Sequence, residues 1–283
     1  MGAGVAALIA GLVLVRARFA AASGASRIVV LGPVFVATAL ATFAAEHFFA
    51  ARDLMQIVPR WMPAPLFWTY FVGAALLAAA ISFIAWRHVR WSASLLALLF
   101  VIIVATIDLP NLPNLPQHIH ERLFWTLTVR ETAFAGGALV LAGSVWPRES
   151  STGIALVRIG RGIVAATMVF YAIQHFLFPR FVPGVPLEKL TPAWVPAPVL
   201  LAYFVGVILL LGGIGLLMRR TIQMAAAGAG IMLLLLTVFF YLPIFVMEIH
   251  APLAVEGINY VGDTLLFAGT VLLAGFGAER LTV

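Results

Sequence analysis

Apolar residues run through this chain in long blocks separated by short polar punctuation, and no two-residue alternation organises them. Runs able to cross a hydrocarbon core, which takes about 20 residues, fall at 28–49, 66–86, 92–109, 123–146, 159–178, 197–218, 222–247 and 258–277. They predict eight transmembrane helices. Leu and Ala dominate the runs, which suits helices, because backbone polar groups in lipid must be satisfied within the segment. A further run from Ala3 to Val15, followed by Arg16 and Arg18, has 13 apolar residues unless it continues through Phe19 to Ala22. It reads as a short extra span or an uncleaved interfacial anchor. A cleaved signal fits less well, because no Lys or Arg precedes the run.

The pattern is written twice. Trp61-Met-Pro-Ala-Pro65 through Tyr70-Phe-Val-Gly73 returns 133 residues later as Trp194-Val-Pro-Ala-Pro198 through Tyr203-Phe-Val-Gly206. Upstream, Glu46-His47-Phe48 answers Gln174-His175-Phe176 at a shift of 128, and downstream Glu131-Thr132 and Gly137 answer Asp263-Thr264 and Gly269 at 132. A motif order kept over nearly a whole module predicts two equivalent units. The expected fold is therefore all-α and polytopic, with two parallel four-helix bundles at 28–147 and 158–283. Residues 1–27 form an N-terminal apolar helix with a basic linker, and 148–157 form a cytoplasmic linker.

Composition agrees with a bilayer location: 63% of residues are hydrophobic, 10% are charged, and the mean hydropathy is +1.09. With no cysteine, disulfides, thiolate nucleophiles, iron–sulfur ligation and thiolate zinc sites are excluded by count. The charges give an orientation. One set of segment ends carries Arg16, Arg18, Arg27, Arg87, Arg90, Arg148, Arg158, Arg161, Arg219, Arg220 and Arg280 against Glu149 and Glu279 alone. The other set carries six bases against nine acids. The positive-inside rule places the arginine-rich ends and the C-terminus in the cytoplasm, so the net charge of +6 is a topology signal and needs no nucleic acid. An even number of spans per unit gives both units one orientation, which predicts a pseudo-two-fold axis along the membrane normal.

Candidate chemistry lies at the opposite, proline-rich ends, where His47, His118, His120, His175 and His250 fall. The segments 52–65, 109–120 and 179–198 are rich in proline and read as rigid covers. Trp61, Trp68, Trp125 and Trp194 suit an interfacial aromatic belt. Glu131 and Asp263 are the sharpest candidates. At about 1.5 Å per residue, Glu131 lies about 13 Å along its helix from Arg122, and Asp263 about 10 Å along from Glu256. An ionisable group at that depth costs about 2.5 kcal/mol or more unless it is paired or faces water. His47 and His175 reach a similar depth, so a His–carboxylate pair is expected in each unit. Such pairs suit three roles: a bridge orienting helices, a polar ligand pocket, or metal or haem ligation. The last has least behind it. The H-x-H at 118–120 has no second pair, and a bis-histidine haem between His47 and His175 has no third feature to support it. No metal site is predicted. Arg130 and Glu131 read as a local ion pair at the helix mouth.

Taken together, His47-Phe48, the Pro-rich loop, Trp61-Met-Pro-Ala-Pro65, Tyr70-Phe-Val-Gly73, Arg87 and Leu109-Pro-Asn111 resemble the DoxX-like family. The second copy offers His175-Phe176, Trp194 to Pro198, Tyr203 to Gly206, Arg219-Arg220 and Leu242-Pro243. The resemblance covers most of 28–146 and 158–277 and implies a tandem fusion of two four-helix modules. It implies an association with membrane redox systems, which in that family include a thiosulfate:quinone oxidoreductase subunit. The absence of cysteine argues against sulfur chemistry through a protein thiol.

The expected function is a binding or accessory subunit in a bacterial inner membrane, at most one subunit of a membrane oxidoreductase. It would hold a small amphipathic ligand, a quinone or a lipid, in an outer-leaflet cavity. His47 and His175 would meet the head group, Glu131 and Asp263 would exchange protons with them, and Tyr70 and Tyr203 would line the wall. Glu46 joins these as a binding or proton-exchanging candidate. The expected partners are the lipid bilayer and a membrane redox protein. The alternatives are a small-molecule or proton-coupled transporter and a structural scaffold.

Overall fold

The computed structural model describes residues 1–110, 122–248 and 254–278, without the side chains of 122–124, 248, 254 and 255. The chain forms α1 (Gly2–Ala21), α2 (Ser26–Val29), α3 (Gly32–Phe49), α4 (Ala51–Leu54), α5 (Pro65–Ala85) and α6 (Val89–Ile103). These are followed by α7 (Arg122–Ser144), α8 (Ser151–Leu177), α9 (Pro198–Leu217), α10 (Ile222–Leu236), α11 (Leu242–Glu248) and α12 (Ala254–Leu273). Among the described residues the only extended pairing is an isolated bridge between Phe181 and Leu190. The protein is an all-helical, multi-pass membrane protein.

Seven helices among the described residues are long and apolar enough to cross a membrane, and they differ from the eight expected runs in an informative way. The N-terminal run is one of the seven. It continues past Val15 through Arg16 and Arg18 to Ala21 and lies antiparallel on α3, with Gly4 against Thr38 and Thr42 and Gly11 against Val34. Its other face, including Val5, Ile9 and Leu14, is exposed, as a lipid-facing side should be. The Arg18 guanidinium sits over the Trp86 ring at 3.8 Å, where a cation is attracted by the aromatic face. The two long helices outside the seven are α7 and α12, whose sequences are interrupted by Arg130-Glu131 and by Glu256 and Asp263.

Those two polar helices occupy the middle. They pack on each other; α3 packs on α12, and α8 packs on α7. Each crossing depends on backbone approach. A Cβ at Gly160 would lie 2.3 Å from the Gly136 carbonyl oxygen, and one at Gly269 would lie 2.7 Å from the Val36 amide nitrogen. Small residues let membrane helices gain van der Waals contact where no water drives association. Toward the arginine-rich end, buried Arg161 donates from Nε to the Ala274 carbonyl at 2.8 Å and from Nη2 to the Phe276 carbonyl at 2.6 Å. It thereby satisfies acceptors just beyond the C-terminus of α12.

Segments that share sequence share local geometry. Ala64 (φ 53°) and Ala197 (φ 46°) are both left-handed N-caps, each followed by a proline that begins a helix, α5 or α9. Proline suits that position because its missing N–H would be unbonded there in any case. Further on, π turns at Val104–Asp108 and Thr237–Tyr241 extend α6 and α10, and each runs directly into Leu-Pro. Pro110 and Pro243 have no N–H and would collide with the carbonyl four residues back, at Thr106 and Phe239. Widening the turn relieves that conflict.

The two proline-rich connections diverge. After α3 the chain makes α4 and a 3-10 turn at Met55–Ile57, with Ile57 and Trp61 exposed. After α8, residues 182–187 turn back into the protein and are all buried. The expectation of rigid outer covers thus resolves into one loop that lies outside and one that plugs.

Candidate functional site

Arg130 is the hub of the ionisable cluster. α7 presents Arg130 and Glu131 side by side, and α12 brings Asp263 across from the other half. Arg130 donates from Nη2 and Nε to Glu131 Oε1 at 2.9 and 3.2 Å and from Nη1 to Asp263 Oδ2. All three side chains are at most 15% exposed. Charge-assisted bonds of this kind are the strong ones, and here they tie α7 to α12 at depth.

Two further carboxylates flank the hub. Asp108, the last residue of the first π turn, lies within electrostatic reach of Glu131 and Arg130. Glu46, in the last turn of α3, lies within reach of Asp263 and of the N-terminal amine. The Asn259 amide, turned so that its nitrogen faces Glu46, donates to Oε2 at 3.0 Å and Oε1 at 3.3 Å. Glu131, Asp263 and Asp108 therefore gather around one guanidinium within the membrane-spanning region, and Glu46 adjoins Asp263. Such groups are retained there only where they pair or face a cavity, a proton or a ligand.

The histidines have different partners from those expected. His175 Nδ1 donates to the Tyr171 carbonyl at 2.6 Å, and its Nε2 accepts the Gly184 N–H at 2.8 Å. Both ring nitrogens are committed to backbone, which leaves no lone pair for iron, so the donor set does not fit a bis-histidine haem. His47 Nδ1 donates to the Phe43 carbonyl at 2.8 Å. Glu131 and Asp263 pair with Arg130, whose long side chain reaches both acids.

The repeated Tyr and Gly form a packing unit. Tyr70 stacks on Phe48 with centroids 6.1 Å apart, and Tyr203 meets Phe176 at 6.2 Å. At 42% and 41% exposed, these tyrosines face outward and do not line an interior wall. Gly73 makes room for His47, since a Cβ there would lie 2.8 Å from the histidine Cβ, and Gly206 makes room for His175 and Phe176 in the same way. His118, His120, His250 and Glu121 lie outside the described residues.

Three groups of the cluster carry little mark in the sequence. Arg130 stands beside Glu131 and suggests only a local pair, Asp108 sits at the end of an apolar run, and Asn259 has no counterpart in the first half. For Asp108 a signal existed: Asp-Leu-Pro at 108–110 answers Tyr-Leu-Pro at 241–243.

A family model described as a domain of unknown function (DUF8561) matches residues 36–111, from within α3 to three residues past the first π turn. No curated protein and no solved structure matches the chain.

Proposed function

We propose that the protein binds a small amphipathic molecule, a quinone or a lipid, in a polar pocket of the outer leaflet of a bacterial inner membrane. In this reading it is an accessory subunit to a membrane redox partner. It is built from two equivalent modules of the DoxX-like kind, with the arginine-rich ends and the C-terminus in the cytoplasm. The observation that carries the proposal is the excess of acids about Arg130: Glu131 and Asp263 bond to it, Asp108 lies within its electrostatic reach, and Glu46 adjoins Asp263. A pure helix clamp needs one acid for one base. Each surplus intramembrane charge costs about 2.5 kcal/mol or more, so the surplus makes sense where a donor head group or a proton offsets it.

The residues divide the work. Arg130 occupies Glu131 and Asp263 and fixes α7 against α12. Glu46 and Asp108 remain as acceptors toward a head group, with Asn259 holding the Glu46 carboxylate in place. A quinone bound there in its reduced, hydroxyl-bearing form would supply the redox chemistry, and the protein would bind, orient and exchange protons at the two carboxylates. An alternating-access transporter also needs a polar route to the arginine-rich end. Arg161, the ionisable group buried toward that end, is bound to the Ala274 and Phe276 carbonyls and closes the end of α12.

Mass spectrometry of organic extracts tests the reading, comparing wild type with a Glu46→Gln/Asp108→Asn variant purified in the same mild detergent. The expected result is a quinone or lipid enriched in wild type and depleted in a variant of unchanged Tm. Identical extracts from the two proteins would defeat the proposal.

A further inference from the structure

The second half grips a piece of its own chain. The Gly184 N–H donates to His175 Nε2 at 2.8 Å, and the Tyr241 hydroxyl donates to the Pro183 carbonyl at 2.5 Å. These are the two ends of one amide, the one that joins Pro183 to Gly184. His175 and Tyr241 are 1% and 0% exposed, and residues 182–187 are buried with them.

Among the described residues the first half has the corresponding positions without an inserted segment. His47 stands 128 residues before His175, makes the same Nδ1 bond to the carbonyl four residues earlier, and backs onto Gly73 as His175 backs onto Gly206. Asp108 stands 133 residues before Tyr241, and each ends a π turn ahead of Leu-Pro. The connection after α3 forms α4 and a 3-10 turn and stays largely at the surface. Among the described residues nothing bonds to His47 Nε2, and Asp108 Oδ2 is buried without a hydrogen-bond partner.

We infer that the mouth of the first half, at His47 and Asp108, is the ligand site, and that the mouth of the second half is its self-occupied counterpart. The chemistry of the occupant follows from the two groups. With its Nδ1–H given to Phe43, the neutral His47 ring offers only a lone pair at Nε2. Where Tyr241 donates, Asp108 accepts. The site therefore takes a head group with two hydrogen-bond donors on an apolar body, which means a hydroxyl-bearing amphiphile. Heads that carry only acceptors, such as ketones or ethers, leave both protein groups unsatisfied, and buried unsatisfied acceptors are costly. Two sources share this chemistry, an alkylhydroquinone and a monoacylglycerol. The inference rests on the reading of the outer pocket as a ligand site and adds which half binds and what is bound.

Thermal shift of the detergent-solubilised full chain tests it with 2-decylhydroquinone, its dimethyl ether and monoolein as probes. The hydroquinone or monoolein is expected to raise Tm by about 5 °C at a hundredfold excess over half-saturation. Whichever of the two gives the larger shift names the source, and the ether is expected to give none. His47→Phe and Asp108→Leu, each of which removes the acceptor, should each abolish the shift. His175→Phe should lower Tm yet keep the shift. Equal shifts from hydroquinone and ether would overturn the donor requirement while leaving the general binding reading intact. A shift that survives both first-half substitutions but is lost in His175→Phe would overturn the assignment to the first half. No shift from any probe would overturn this inference, and the extract comparison would then decide the broader reading separately.

Discussion

The two proline-rich mouths are made from residues in matching order, yet among the described residues one is sealed by buried chain and the other is not. In the second half, a fully buried His175 and Tyr241 hold the Pro183–Gly184 amide. In the first half, His47 is partly exposed and Asp108 replaces the tyrosine. One change of residue type, from a donor to an acceptor, separates a group that can clasp a backbone carbonyl from one that cannot. The lesson concerns where to look for function when a sequence motif recurs: the copy that satisfies its own polar groups is accounted for as structure, and the copy whose groups have no partner among the described residues is the one to test for binding.

The strongest way to break this comparison is to remove what both halves share. Arg130→Leu leaves Glu131 and Asp263 as unpaired carboxylates and should cost about 3–5 kcal/mol, read as a loss of Tm or of chemical stability in detergent. A neutral outcome would mean that the halves are held by packing alone. The crossing glycines come next. Gly160→Ala drives a methyl into the Gly136 carbonyl, which is backbone and cannot swing aside, so a loss of about 1–3 kcal/mol is expected by the same measurement.

The comparison is sharpened by substituting the two mouths separately. Tyr241→Phe strands the buried Pro183 carbonyl and should cost about 1–3 kcal/mol, with faster proteolysis between residues 180 and 190. Asp108→Asn should leave unfolding and proteolysis nearly unchanged, because no partner of Asp108 Oδ2 is lost. Equal costs at the two positions would mean that both mouths are closed. The smallest effect belongs to Ala64→Gly and Ala197→Gly. The left-handed backbone there costs an L-residue about 1–2 kcal/mol, and the extra unfolded-state freedom of glycine offsets part of the gain. Each should stabilise by less than about 1 kcal/mol, and similarly in the two halves.

Much of the fold was legible in the sequence because long apolar runs and proline-initiated helices follow from local chemistry. The shared cap geometry at Ala64 and Ala197 lies within the repeated W-x-P-A-P motif, and the π turns lie just ahead of Leu-Pro. Depth along a helix marks Glu131 and Asp263 as residues needing partners, and both pair with Arg130. Their partner was not legible. Arg130 follows Val129 and precedes Glu131, so chain neighbourhood suggested a local pair, whereas the bond to Asp263 spans 133 residues and depends on α7 meeting α12. The fate of His175 was hidden for a related reason. A buried loop amide answers its ring nitrogen, and a proline-rich segment such as Phe181-Val-Pro-Gly-Val-Pro186 reads equally well as a surface cover or as a plug. The N-terminal run was undecided by length, and its packing on α3 along Gly4 and Gly11 resolves it as a full helix.

The most direct test of the difference between the mouths is a high-resolution density map of the protein in lipid nanodiscs, read at the two histidines. The account predicts the Gly184 amide on His175 Nε2 and non-protein density bridging His47 Nε2 and Asp108. Protein chain seated on His47 Nε2 in the way Gly184 sits on His175 would show two sealed mouths and contradict it.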